Sequence, residues 1–219
     1  MRVAATRAQI AFFNAVFVTE PMSDGNDDLR SAVDLLRAEH LPFVVHVRAD
    51  LPAEVEAARS LGLQGGDLLP AFAMEPPEPA AIPEPPDELE VSRVTEARFG
   101  DYLDTMALGF ESSRAMFSQL FPPAMLSLAG LRCYLGSVEG RPVATSMGVR
   151  TGDVLGIYSV ATVPEARASG YGTAMTWACV SDADPGVRVV ALQASEMGQP
   201  IYEQMGFRRV RDFVELTGS

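Results

Sequence analysis

The chain has 219 residues, room for one large domain or two small ones, and its 47% hydrophobic and 21% charged content lets it bury a core. Its net charge of −12 comes from 29 acidic residues against 17 basic ones, all arginine, so the surface repels nucleic acid and anionic lipid and mildly favours cationic partners. Cys133 and Cys179 sit in apolar runs and make no disulfide framework, which suits a reducing cytoplasm. No apolar run approaches the roughly 20 residues that span a bilayer, and no signal-peptide pattern follows Arg2 and Arg7.

In chain order, Ile10 to Val18 is an apolar run of strand type. Asn26, Asp27 and Asp28 open a helix with acids in its first turn, and Leu29, Val33 and Leu36 form its apolar stripe. Pro42 to Val47 reads as a strand. A short helix follows, with Pro52 in its first turn and Gly62 just past its end. Leu68 to Met74 is a strand that Pro70 confines to an edge or a bulge. The sharpest compositional break is Glu75 to Glu88, EPPEPAAIPEPPDE, whose six prolines exclude a helix or a central strand. Acidity is concentrated before its end: residues 1–88 carry −9 and residues 89–219 carry −3.

Beyond the linker, Leu89 to Val94 is a strand, and a helix follows with Phe99, Leu103, Met106 and Phe110 on one face. A second helical stretch from Ser112 is interrupted at Pro122 and Pro123. Leu131 to Val138, Pro142 to Val149 and Val154 to Thr162 are three strands joined at Glu139-Gly140-Arg141 and Thr151-Gly152-Asp153, so they form an antiparallel meander. Then come a helix from about Gly170 to Ser181, a strand Val187 to Ala194, a helix around Pro200 to Met205, and a last strand Phe207 to Leu216.

The stretch that carries chemistry is Ile157 to Thr176. A strand ends at Thr162, Pro164 turns the chain, and Arg167-x-x-Gly170-x-Gly172 opens a helix. Glycine lets backbone N–H groups approach a ligand without a Cβ in the way, and a helix N-terminus adds unpaired donors and partial positive charge. Together they suit a pyrophosphate, with the Thr173 hydroxyl added at the helix start. A tight strand-to-helix turn with no ligand has the same local pattern. The dinucleotide-binding fingerprint needs different glycine spacing and a parallel sheet, whereas these strands form a meander.

With its strand, V-A-T-V-P-E-A-R-A-S-G-Y-G loop and helix, followed by a strand and P-I-Y-E-Q-M-G-F, the segment from about 89 to 217 resembles the GCN5-related N-acetyltransferase (GNAT) family. The resemblance implies an α/β fold with a mixed sheet whose two parallel strands splay apart. It also implies acetyl-CoA as the acyl donor and an amine as acceptor, attacked directly without a covalent enzyme intermediate. Residue by residue, it carries the pyrophosphate loop onto Arg167, Gly170 and Gly172, with Ala168, Ser169, Tyr171 and Thr173 as backbone donors. Pantetheine would lie along Val160, Ala161, Thr162 and Val163, and the Thr162 N–H would polarise the thioester carbonyl. Tyr202 would protonate the departing thiolate; its alternative is a capped core tyrosine. Where many members carry an asparagine, this chain has Ser195.

The general base is not marked. Glu111 is the first candidate and Glu196 the second, each with a solvated surface acid as its alternative. His40 and His46 have no partner at metal-ligand spacing, His46 reads as a half-buried strand residue, and no metal site is expected. No serine sits in a G-x-S-x-G elbow, and Trp177 reads as packing.

The expected organisation is a smaller, degenerate GNAT-like lobe at 1–75, a Pro-rich linker at 76–88 and a catalytic domain at 89–219. The lobe's relation to the domain rests on Ala58-Arg59-Ser60-Leu61-Gly62-Leu63, which echoes Tyr202-Glu203-Gln204-Met205-Gly206-Phe207 without the tyrosine. Such a lobe could wall off the acceptor cleft or make a homodimer contact. The expected activity is transfer to a small amine, against two alternatives: a protein or peptide acceptor, and a non-catalytic acyl-CoA sensor.

Overall fold

The computed structural model describes residues 1–23 and 26–218. In chain order the elements are β1 (Arg2–Ala5), β2 (Asn14–Val18), α1 (Asp27–Ala38), β3 (Phe43–Arg48), α2 (Pro52–Ser60), β4 (Gln64–Met74), β5 (Leu89–Arg93), α3 (Phe99–Gly109), α4 (Arg114–Leu120), β6 (Leu131–Val138), β7 (Arg141–Thr151), β8 (Val154–Thr162), α5 (Tyr171–Ser181), β9 (Val189–Gln193), α6 (Gln199–Gln204) and β10 (Arg208–Gly218). They group into two compact units, one of Met1–Ala71, Ala194–Glu196 and Arg209–Ser219, the other of Phe72–Gln193 and Met197–Arg208. The sequence pattern assigns the last strand to residues 89–219, whereas β10 pairs antiparallel with β3, from Phe213 opposite Arg48 to Gly218 opposite Phe43.

In the first unit β2 and β3 run parallel, connected through α1. The stripe read from the sequence faces inward: Leu29, Val33 and Leu36 are fully buried, against Val16, Val18, Phe43, Val45 and Val47. Leu216 and Val214 of β10 join the same core. The apolar run Ile10 to Val18 is not all strand. Ala11–Phe13 is a 3-10 turn and the strand begins at Asn14. The buried Asn14 side chain accepts from the Thr6 and Arg7 N–H groups at 3.1 Å and donates to the Ala8 and Pro42 carbonyls at 2.7 and 2.9 Å. It thereby supplies partners that a ladder would otherwise provide.

His46 is buried, not half-buried, at 1% exposure. Phe17 stacks on its ring at 4.7 Å, Phe12 meets it edge-on, and Glu215 lies opposite it on β10. Its Nδ1 is 3.5 Å from Glu215 Oε1 and makes no hydrogen bond. Burial holds the imidazole neutral down to about pH 4.

In the second unit β6, β7 and β8 form the expected antiparallel meander, β5 pairs antiparallel with β6, and β9 lies parallel beside β8. The helices α3 and α4 cover one face through Phe99, Tyr102, Leu103, Met106 and Phe117, packed with Cys133 and Met147. The next residues along the strands turn to α5: Ser146 donates to the Met175 carbonyl at 2.8 Å, and Cys179 Sγ lies 3.3 Å from Ser146 Oγ. Both cysteines are free and buried. Phe110 departs from the expected face. Helix α3 ends at Gly109, Glu111 takes φ +52°, and Phe110 is left half-exposed. The Ser112 N–H reaches the Ala107 carbonyl at 2.9 Å and that of Glu111 the Leu108 carbonyl at 3.0 Å, a Schellman closure with glutamate where glycine is usual.

A testable consequence concerns His46. A free imidazole takes its proton near pH 6.5, and the folded one only near pH 4. Between those values the unfolded chain binds a proton that the folded chain refuses, so stability falls as pH falls, by about 3 kcal/mol at most. Glu215, whose carboxyl burial raises, opposes this at the acid end. Denaturant titrations from pH 7 to 4 should show that His46→Gln flattens the wild-type slope; an unchanged slope would assign it to other groups.

Candidate active site

The site begins with a strand that loses its partner. β8 and β9 are paired only at Val154 with Val189, Leu155 with Val190 and Gly156 with Ala191. From Ile157 onward β8 continues without β9 beside it. On its other side β8 stays with β7, but with a bulge between Thr145 and Met147 at which Ser159 takes φ +52°. The Thr145 hydroxyl donates to the Ser159 carbonyl at 2.9 Å and holds the bend.

The direction of the backbone groups follows. Val163 N–H donates to the Val143 carbonyl of β7 at 2.9 Å. In an extended strand successive N–H groups alternate sides, so that of Thr162 points to the side β9 has left. Across from it lies Gly109, the last residue of α3: a Cβ there would sit 2.8 Å from Ala161 Cβ and 3.1 Å from Thr162 N. Only glycine lets the helix end approach so closely.

After Thr162 the chain makes a 3-10 turn at Pro164–Ala166 and enters α5. Ala168 at φ +63° and Gly170 at φ +77° curl the loop. The first helical bond is Ala174 N–H to the Gly170 carbonyl at 3.0 Å. Within the described residues, the N–H groups of Ala168, Ser169, Gly170, Tyr171, Gly172 and Thr173 donate to no protein acceptor. Six successive free amides at the N-terminus of an 11-residue helix form an anion cradle. Gly172 faces the strand, since a Cβ on it would meet Thr162 Oγ1 at 3.7 Å and Val160 Cγ1 at 4.0 Å. The Tyr171 phenol, whose pKa burial raises, lies 3.1 Å from Glu88 Oε1 and ties the helix start to the end of the Pro-rich segment.

Arg167 and Glu111 come together. The Arg167 guanidinium donates to the Thr162 carbonyl at 3.3 Å and the Gly109 carbonyl at 2.9 Å, and lies 3.7 Å from Glu111 Oε1. It therefore braces the end of α3 against the end of β8, and the cradle itself consists of main-chain amides. Glu111, exposed and in the left-handed region, is held at this brace. Glu111, Ser159 and Ala168 are three non-glycine residues at positive φ around one site, where backbone strain of about 1–3 kcal/mol each persists only if the surroundings impose it.

Tyr202 lies in α6, its ring edge-on to Phe207 at 5.8 Å. Burial raises its pKa above 10, the neighbouring Thr176 hydroxyl pulls it the other way, and the phenol stays protonated at neutral pH. Thr176 in turn donates to the Gly172 carbonyl at 2.9 Å, so Tyr202 is linked through one side chain to the cradle. Ser195 and Glu196 belong to Ala194–Glu196, the segment grouped with the first unit. The sequence reading missed Gly109, Ser159 and Thr176. A glycine at a helix end and a serine in a strand are common, and their roles here depend on contacts 53, 14 and 26 residues away in the chain, respectively with Thr162, Thr145 and Tyr202.

Chemically, the site offers free amides for a doubly charged phosphate group, an open strand edge for an extended amide-bearing chain, an N–H at its end for a carbonyl oxygen, and a protonated phenol. Residues 87–196, half of the chain, match the family model of the acetyltransferase (GNAT) domain. No curated protein matches the sequence. Among solved structures, the chain is similar to a GCN5-related N-acetyltransferase from Kribbella flavida, with a TM-score of 0.73 and 20% identity over 96% of this chain and 84% of that one. It is similar to a functionally unknown conserved protein from Staphylococcus epidermidis, with a TM-score of 0.69 and 17% identity over 94% and 84%. A tandem GNAT protein from the clavulanic acid biosynthesis pathway matches with a TM-score of 0.65 and 15% identity over 87% and 68%. At such identities the likeness is one of fold, a mixed sheet flanked by helices.

The close approach at Gly109 can be tested directly. Gly109→Ala puts a methyl against backbone, and overpacking of this kind costs about 1–3 kcal/mol. The denaturation midpoint should fall accordingly; an unchanged midpoint would mean that the helix end moves freely away from Thr162.

Proposed function

This chain belongs to the GNAT acetyltransferase family, and from that premise we propose that it moves an acetyl group from acetyl-CoA to a small-molecule amine by direct attack. The observation that carries the reading is the run of six free amides from Ala168 to Thr173 beside the strand edge that β9 has left. The amides would hold the diphosphate of acetyl-CoA, and Gly172, without a Cβ, lets that group come close to β8. Pantetheine would lie along Val160, Ala161, Thr162 and Val163 as an added strand.

In the transfer, the amine nitrogen attacks the thioester carbon, the carbon–sulfur bond breaks, and the acetyl amide and coenzyme A thiol leave. The Thr162 N–H stabilises the oxyanion, a contribution on the order of 3 kcal/mol where water is excluded. Tyr202 gives its phenolic proton to the thiolate, and its raised pKa keeps that proton available at neutral pH. Glu111 is the candidate to receive the ammonium proton, through water, from its place at the Arg167 brace. Residues 1–75 are read as a degenerate lobe of the same kind, without a glycine-rich loop. No helix of the described residues is long and apolar enough to cross a membrane. The two free buried cysteines suit the cytoplasm.

Acetyl-CoA at a hundredfold its Kd should raise the melting temperature by about 5–10 °C, and bulky residues at Gly170 and Gly172 should abolish the shift. No shift in the wild type would sink the assignment. In a coenzyme A release assay, Tyr202→Phe should lower kcat about a hundredfold; unchanged turnover would remove Tyr202 from the proton transfer.

A further inference from the structure

We propose that the acceptor amine carries an elongated apolar body, which lies in a groove between the α4 segment and the meander; this rests on the acetyl-transfer reading above. The groove measures about 380 Å³, within the range of small-molecule sites. Its lining is apolar throughout, including Leu120, Phe121, Met125, Leu128, Leu131 and Met147. None of these side chains carries a charge, a hydroxyl or an amide, so a polyhydroxylated or polycationic acceptor would lose its hydration there without compensation.

Continuity connects the groove to the reacting centre. Gly109 stands against Thr162, and Phe110 follows it, half-exposed. The Phe110 ring lies 5.8 Å from Phe117, and Phe117 lies 6.3 Å from Phe121, which lines the groove. Packing thus connects Phe110, beside the end of α3, through the buried Phe117 to the groove wall at Phe121. On the sheet side Met147 pairs directly with Tyr158, whose side chain shares its face and is also half-exposed. Tyr158 precedes Thr162 by four residues of a bulged strand, roughly 10–13 Å. The body of the acceptor must reach about that far from its nitrogen. Glu111, beside Phe110, is the carboxylate at the end where the ammonium group would enter.

The test uses the full chain with acetyl-CoA and a series of ethylamine, butylamine, hexylamine and octylamine, set against ethanolamine, putrescine and an aminoglycoside. Coenzyme A release should show kcat/KM rising two- to fourfold per methylene, as expected for burial of CH₂ groups. The polar amines should stay near the ethylamine value. Leu128→Asp, at a residue 58% exposed and therefore tolerant of change, should flatten the series and lower the octylamine value at least tenfold. Calorimetry with N-octylacetamide, the product, gives a readout independent of turnover: it should bind wild type and lose its affinity in Leu128→Asp. A flat series or a preference for the polar amines, with release intact, overturns the groove assignment and leaves acetyl transfer standing. A peptide amine turned over faster than octylamine overturns it in favour of a polypeptide acceptor. Binding of N-octylacetamide with no release from any amine refutes acetyl transfer, and the acceptor role of the groove with it.

Discussion

Two parallel strands that part after three rungs leave one of them with unpaired amides in the middle of a protein, and the site depends on that separation. A buried backbone N–H without a partner costs free energy comparable to a lost hydrogen bond. β8 tolerates the loss because β7 holds it on the other side and because the edge left by β9 can take a ligand's amides in place of a strand's. The bulge at Ser159 and the Thr145 hydroxyl beneath it set the direction of the strand beyond the split.

What surrounds the opening serves to keep it rigid. Arg167 links the Thr162 and Gly109 carbonyls, so the end of α3 and the end of β8 cannot drift apart without breaking two charge-assisted hydrogen bonds. Glu111 is held in the left-handed region by a Schellman closure. Tyr202, Thr176 and Gly172 form a second chain of contacts, from the phenol to the first turn of α5. Preorganised donors of this kind act on developing charge without reorganising, and this makes a small number of amides effective in catalysis.

The two faces of the second unit have different duties. Under α5 the strands carry Ser146, which meets Cys179 of that helix, whose thiol burial pushes to about 12 and keeps inert. Under α3 and α4 they carry Cys133 and Met147, a softer apolar face that opens into the groove at Met125 and Leu128. On the reading proposed above, acetyl transfer would use the strand edge and the loop, and discrimination between acceptors would fall to the face that α4 covers.

Much of this was legible in the chain itself. The helical stripe Leu29, Val33 and Leu36, the meander with its Gly140 and Gly152 turns, and the Gly170–Gly172 loop are local patterns, and local patterns determine periodicity, turns and caps. The pairing of β10 with β3, the full burial of His46 and the meeting of Arg167 with Gly109 were decided by the tertiary structure alone. Each joins residues far apart in sequence. A contact of that kind leaves no mark on the spacing of either partner, because the energy that selects it arises only when both are packed.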